Sequence, residues 1–65
     1  MKILINGLHK DVTAQKLGAI LLEAGYGDMR VATAVNGGFV AVEQRKEFEI
    51  EAGDQVEIVA PRQGG

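Results

Sequence analysis

The chain closes on Gly64-Gly65, two residues without side chains whose reactive group is a backbone carboxylate. Only glycine lets a backbone approach a narrow pocket without a Cβ in the way, so such an end suits threading into another protein's active site. A carboxylate is a poor acyl donor until it is activated, commonly as a mixed anhydride with AMP. A sulfur nucleophile can then displace AMP, leaving a thiocarboxylate, or an acyl thioester on a partner's cysteine. That chemistry asks the carrier for reach and docking, and for no catalytic side chain. A linker or a loose terminus also ends this way, so the reading depends on what the glycines are attached to.

Side-chain chemistry offers little competition. With no Cys there is no thiol nucleophile, disulfide or thiolate metal site, and a single His makes a zinc set improbable. His9 stands next to the first hairpin without a nearby nucleophile, which describes a surface histidine. Glu47, Glu49 and Glu51 alternate as in a strand and could pair for general acid/base work, but no pocket-forming apolar surround accompanies them, so they read as solvated. Asn36-Gly37-Gly38 lacks the Lys-Ser/Thr of a phosphate loop and precedes a strand, so it reads as a hairpin turn. Tyr26 is expected to pack its ring at a helix end.

The elements that must position the terminal carboxylate follow from periodicity and turns. Lys2-Ile3-Leu4-Ile5 is a strand with Met1, Ile3 and Ile5 toward the core, and Asn6-Gly7 is a strong hairpin signal leading to a second strand at Leu8 to Val12. Thr13 is suited to N-cap a helix beginning at Ala14, with an apolar stripe of Leu17, Ile20, Leu21 and Ala24. Gly18 inside that helix costs about 1 kcal/mol relative to Ala, so tertiary packing must hold it, and a close approach to the sheet is one reason for a glycine there. Gly25 ends the helix. Val31 to Val35 and Phe39 to Val42 form a hairpin around Asn36-Gly37; Glu43 to Glu47 is a polar connection, and Phe48 and Ile50 anchor a loosely structured stretch. Ala52-Gly53-Asp54 turns into a last strand at Gln55 to Val59, with Val56 and Ile58 inward. Pro61 has no N–H to donate, so the chain leaves the sheet there.

The fold class is therefore α+β: one helix packed on a mixed four- to five-stranded sheet, with the first and last strands parallel in the centre. That is the β-grasp, or ubiquitin-like, arrangement. It occupies residues 1–60, and residues 61–65 are expected to form a flexible tail. One helix cannot cover two sheet faces, which leaves the other open to solvent or a partner.

At 65 residues the chain is one small domain held by packing alone. Met1 leads directly into a strand, with no signal-peptide pattern, and no apolar run approaches the ~20 residues that span a bilayer. A cytoplasmic protein without membrane association is expected. A net charge of −2 argues against a nucleic-acid partner. Six of the nine acidic residues (Glu43, Glu47, Glu49, Glu51, Asp54 and Glu57) lie in the last third, either as a solvated surface or as a face that steers docking.

The chain resembles the ThiS-type sulfur carriers of the MoaD/ThiS family. The likeness runs through Met1-Lys2-Ile3-x-Ile5-Asn6-Gly7, the helix stripe around Leu17 to Leu22, and Arg30-Val31-Ala32-x-Ala34-Val35-Asn36-Gly37. It continues in Gly53-Asp54-x-Val56-Glu57-Ile58-Val59 and the closing Gly64-Gly65. The resemblance implies a protein co-substrate, not an enzyme. It binds no cofactor itself; its Gly65 carboxylate is adenylated with ATP and Mg²⁺ by a ThiF-like adenylating enzyme. Sulfur drawn from cysteine by a cysteine desulfurase then makes the thiocarboxylate, which serves a ThiG-like thiazole synthase in thiamine biosynthesis. Gly64, Gln63, Arg62 and Pro61 would thread into the partners' active sites. Arg62-Gln63 departs from the small or apolar residues of many relatives, which leaves the identity of the partner open.

By strand alternation Leu4 and Val59, with Ala32 and Ala34 beside them, are expected on the open sheet face as a docking patch. The alternatives are a sulfur carrier for molybdopterin or another product, a ubiquitin-type modifier joined through Gly65, and an interaction domain with an inert tail. The molybdopterin carriers tend to be longer, with a Phe/Pro-rich approach to the tail unlike Ala60-Pro61-Arg62.

Overall fold

Two Asn-Gly pairs make the two hairpins. Lys2–Ile5 (β1) turns through Asn6-Gly7 into Leu8–Asp11 (β2), and Ala32–Val35 (β3) turns through Asn36-Gly37 into Gly38–Val40 (β4). Both central residues of each turn have positive φ, 52° and 82° in the first and 51° and 83° in the second. This is the type I′ geometry, whose twist matches that of the flanking strands. Between the hairpins lies the helix Leu17–Glu23 (α1), and after them a 3₁₀ turn at Val42–Gln44 and the last strand Gln55–Val59 (β5). The computed structural model describes residues 1–60; Pro61, Arg62, Gln63, Gly64 and Gly65 lie outside the described residues.

The sheet has five strands in the order β2-β1-β5-β3-β4. β5 is central: it runs parallel to β1, with Leu4 opposite Gln55 and Ile5 opposite Val56, and antiparallel to β3, with Ala32 opposite Val59. The β-grasp arrangement expected from the sequence is the one observed. One sheet face carries Ile3, Ile5, Thr33, Val35, Val40, Val56 and Ile58 into the core, where they meet Leu17, Ile20 and Leu21 of α1 together with Val12 and Ile50. Phe48 packs half-buried against this core.

The helix begins later than its local signals suggest. Thr13 is not its N-cap; α1 starts at Leu17, and Lys16 precedes it in an extended conformation with no side-chain cap. The reason is tertiary. Thr13 and Ala14 turn their N–H groups to the Glu23 carboxylate, at 2.9 and 3.0 Å. The first free N–H groups of α1 are met by carbonyls of the segment beneath: Leu17 N–H donates to Phe48 O at 2.8 Å and Gly18 N–H to Arg45 O at 2.9 Å. Orphan donors at a helix start need some acceptor, and here backbone carbonyls replace a cap side chain.

Gly18 accordingly lies against the backbone of Arg45 and Lys46, where a Cβ would stand 3.4 Å from Lys46 Cα, and not against the sheet. Ala24 is exposed and outside the buried stripe, because α1 has ended at Glu23. Gly25, at φ 94°, closes a Schellman motif in which Tyr26 N–H reaches Leu21 O at 2.8 Å and Gly25 N–H reaches Leu22 O at 3.1 Å. β4 stops at Val40, two residues short of the expected end. The chain there turns into the 3₁₀ segment, where Ala41 N–H donates to Gln44 Oε1 at 3.0 Å.

Candidate functional site

Alternation along β5 puts Val56 and Ile58 in the core and Gln55, Glu57 and Val59 on the opposite, open face. The register across β3 then brings Ala32 beside Val59 and Ala34 beside Glu57, and the register into β4 sets Phe39 opposite Ala34. Ala32, Ala34 and Val59 of the expected patch are thus together, and they line a shallow depression with Phe39 and Glu57. Phe39 is 74% exposed and Val59 63% exposed, large values for apolar side chains whose neighbours are also apolar. A second depression, lined by Arg30, Val31, Ala32 and Val59, continues the surface along the strand ends.

Leu4 stands apart. It is half-buried, and its neighbours across the strands are His9 on β2 and Gln55 at the start of β5. Val59 lies four residues further along β5, about 13 Å at the usual rise per residue. Both share one face, as alternation requires, but Leu4 does not belong to the apolar patch. Phe39 does, and sequence reasoning placed it in a strand without assigning it to the patch. The cross-strand pairing of Ala34 with Phe39 is the missing signal, and an Asn-Gly turn of two residues contained it. From Val35-Asn36-Gly37-Gly38, counting outward pairs 34 with 39.

Asn6 and Asn36 do more than turn the chain. Asn36 Oδ1 accepts Gln55 N–H at 2.9 Å and its Nδ2 donates to Asp54 Oδ1 at 3.0 Å, while Asp54 Oδ2 accepts Glu51 N–H at 2.8 Å. Asn6 Oδ1 accepts Ile58 N–H at 2.8 Å and its Nδ2 donates to Ile58 O at 3.1 Å. The two hairpin asparagines therefore hold β5 at its two ends. β5 leads through Ala60 to Pro61, Arg62, Gln63, Gly64 and Gly65, the residues expected to enter partner sites, which lie outside the described residues.

Several charged and polar groups elsewhere make structural bonds. Arg45, within the stretch read from the sequence as a polar connection, donates from Nε to Thr33 Oγ1 at 3.0 Å and from Nη2 to Val31 O at 2.5 Å. Thr33, buried in the core layer, donates on to Val40 O at 2.9 Å, so this chain of bonds ties the 3₁₀ segment to β3 and β4. A groove between β2 and the end of α1 is lined by Lys10, Asp11, Glu23 and Tyr26 among others. Its Glu23 carboxylate is held below the usual range by the N–H groups of Ala14 and then Thr13, and so stays ionised as an anchor. Glu49 pairs with Lys16 at 3.2 Å, His9 is exposed, and Glu47 and Glu51 face solvent. Of the six acidic residues in the last third, Glu57 alone lies at the apolar patch; the 43–51 group sits on the connection below α1. Among the described residues no group of three or more His, Asp or Glu is placed to hold a metal ion. No helix of the described residues is long and apolar enough to cross a membrane.

Residues 3–65 match the model of the ThiS family. The fold is similar to that of a crystal structure of a thiamine biosynthesis protein (ThiS) from Geobacter metallireducens, with a TM-score of 0.77. The two share 23% sequence identity, and the alignment covers 100% of each chain; at that identity the likeness speaks to fold. No curated protein matches the chain significantly.

Proposed function

From the premise that the chain belongs to the ThiS family, we propose that it is a sulfur carrier in thiamine biosynthesis, a protein co-substrate with no catalytic side chains of its own. The observation that carries the reading is the extent of the family match, which runs through Gly64 and Gly65 to residue 65. The open face of a β-grasp sheet, with its apolar patch beside the strand that leads to those glycines, supports it.

In this reading the Gly65 carboxylate attacks the α-phosphate of ATP in the active site of a ThiF-like adenylating enzyme. Pyrophosphate leaves with Mg²⁺, and the acyl adenylate forms. The outer sulfur of a persulfide formed on a cysteine desulfurase attacks the acyl adenylate and displaces AMP. A thiol then cleaves the resulting acyl disulfide at the enzyme's sulfur, leaving a disulfide and the thiocarboxylate. A ThiG-like thiazole synthase accepts that sulfur. Pro61, Arg62, Gln63 and Gly64 span from the sheet to the reactive atom. The patch of Ala32, Ala34, Phe39 and Val59 docks on the partner. These steps take place among soluble components, consistent with a cytoplasmic setting.

The test is ATP–pyrophosphate exchange catalysed by the ThiF-like enzyme of the same organism. The full chain supports exchange, and a chain lacking Gly65 does not. Equal exchange with both would place the reactive group elsewhere and overturn the proposal.

A further inference from the structure

The parallel ladder between β1 and β5 is longer than β1 itself. Leu4 N–H donates to Asp54 O at 3.0 Å and Asn6 N–H to Val56 O at 2.9 Å. The next rung along β5 falls at Ile58, where the β1 backbone has already turned away, with Asn6 at φ 52°. The Asn6 side chain takes that rung with both of its polar atoms, accepting Ile58 N–H at 2.8 Å and donating to Ile58 O at 3.1 Å. A primary amide offers donor and acceptor side by side, as a peptide group does, so the side chain acts as one further residue of β1. On its other side β5 is already paired, with Thr33 opposite Ile58 and Ala32 opposite Val59. With Asn6 in place, β5 is paired on both sides as far as Ile58, just before the strand ends.

We propose that Asn6 is a positioning residue for the C-terminal segment. Its side chain keeps β5 in the sheet through Ile58 and so sets the point from which residues 61–65 are offered to a partner. The use made of that point rests on the sulfur-carrier reading, whereas the anchoring of Ile58 does not. The identity of the residue separates this role from turn formation. Glycine adopts the positive φ at position 6 without strain, so Asn6→Gly keeps the turn and removes only the amide. Asn36→Gly is the matched control, because Asn36 holds Gln55 at the opposite end of the same strand.

Amide hydrogen exchange followed by NMR on the full 65-residue chain reads this directly. In Asn6→Gly the Ile58 amide should exchange about tenfold faster, as expected for one lost rung, while the Gln55 amide is little changed. In Asn36→Gly the pattern should reverse. Unchanged Ile58 exchange in Asn6→Gly, or equal acceleration of every core amide, would overturn the proposal. Asn6→Asp serves as a second variant should the glycine variant not fold. It keeps the acceptor for Ile58 N–H but faces a carboxylate oxygen to Ile58 O, so Ile58 protection should be low at neutral pH. It should recover relative to Gln55 as acid protonates the new carboxyl and restores a donor; failure to recover would count against the proposal.

With the ThiF-like enzyme, Asn6→Gly should lower kcat for pyrophosphate exchange severalfold and leave KM, set by the docking face, unchanged. Unaltered kcat alongside faster Ile58 exchange would overturn the positioning role. A wild-type chain that supports no exchange would instead sink the carrier reading and leave the anchoring result standing.

Discussion

Asn6, Asn36 and Glu23 each make bonds that a local reading of the sequence does not contain. The two Asn-Gly pairs announce hairpins plainly, because few residues other than glycine and asparagine accept positive φ. The grip of their side chains on β5 spans 52 positions for Asn6 and 19 for Asn36, and no local pattern encodes such partners. Glu23 is a similar case. It is an exposed acid on the last turn of α1, yet its carboxylate gathers the N–H groups of Thr13 and Ala14. Those bonds favour the ionised form and hold its pKa below the ordinary value of 4.5. A carboxyl whose folded pKa is depressed contributes stability above its unfolded value, and that stability is lost as pH falls through the folded pKa. Glu23→Gln should therefore lower Tm at neutral pH and flatten its decline toward acid. Thermal unfolding monitored by circular dichroism from about pH 7 to about pH 3 checks this, and parallel curves for both proteins would contradict it.

The strands were legible from their β-branched runs and flanking turns, and β1, β3 and β5 lie within a residue or so of where alternation puts them. The start of α1 was not legible. Thr13 followed by Ala14 has the composition of a helix start, but Glu23 captures their N–H groups and the carbonyls of Phe48 and Arg45 cap Leu17 and Gly18 instead. Tertiary acceptors outweigh a local cap here because each satisfies a helix donor without ordering a separate side chain. The ranking of two substitutions follows. Thr13→Ala keeps the N–H that Glu23 uses and loses an exposed 3.2 Å hydroxyl contact, so it should cost less than about 0.5 kcal/mol, under the ~1 kcal/mol of a true N-cap. Arg45→Ala removes bonds to Thr33 and Val31 in a partly buried setting and should cost about 1–3 kcal/mol. Urea denaturation measures both, and a Thr13 variant at least as damaging as the Arg45 variant would contradict the capping account.

At the scale of the whole molecule, the open sheet face was legible as soon as one helix was counted against five strands. Its apolar centre was only partly so. Leu4 and Val59 share the face by alternation, but the parallel register of β1 on β5 sets Leu4 beside Gln55, while Phe39 reaches the patch through β4. Docking should follow this geometry. Phe39→Glu with Val59→Glu should raise KM for pyrophosphate exchange by about tenfold or more, as the loss of two exposed apolar anchors would. Leu4→Glu, at a half-buried site outside the patch, should act mainly on stability. Normal KM in the doubly charged variant would remove the patch from the docking account.

The carboxylate of Gly65 is the reactive centre proposed for the molecule, and intact-mass spectrometry reads it most directly. The full chain is incubated with ATP, Mg²⁺, the ThiF-like enzyme and a sulfur source. Replacement of one carboxylate oxygen by sulfur adds about 16 Da, and the shift should be absent without ATP and in the chain lacking Gly65. An unchanged mass with the cognate enzyme, or the same shift in the shortened chain, would contradict the account.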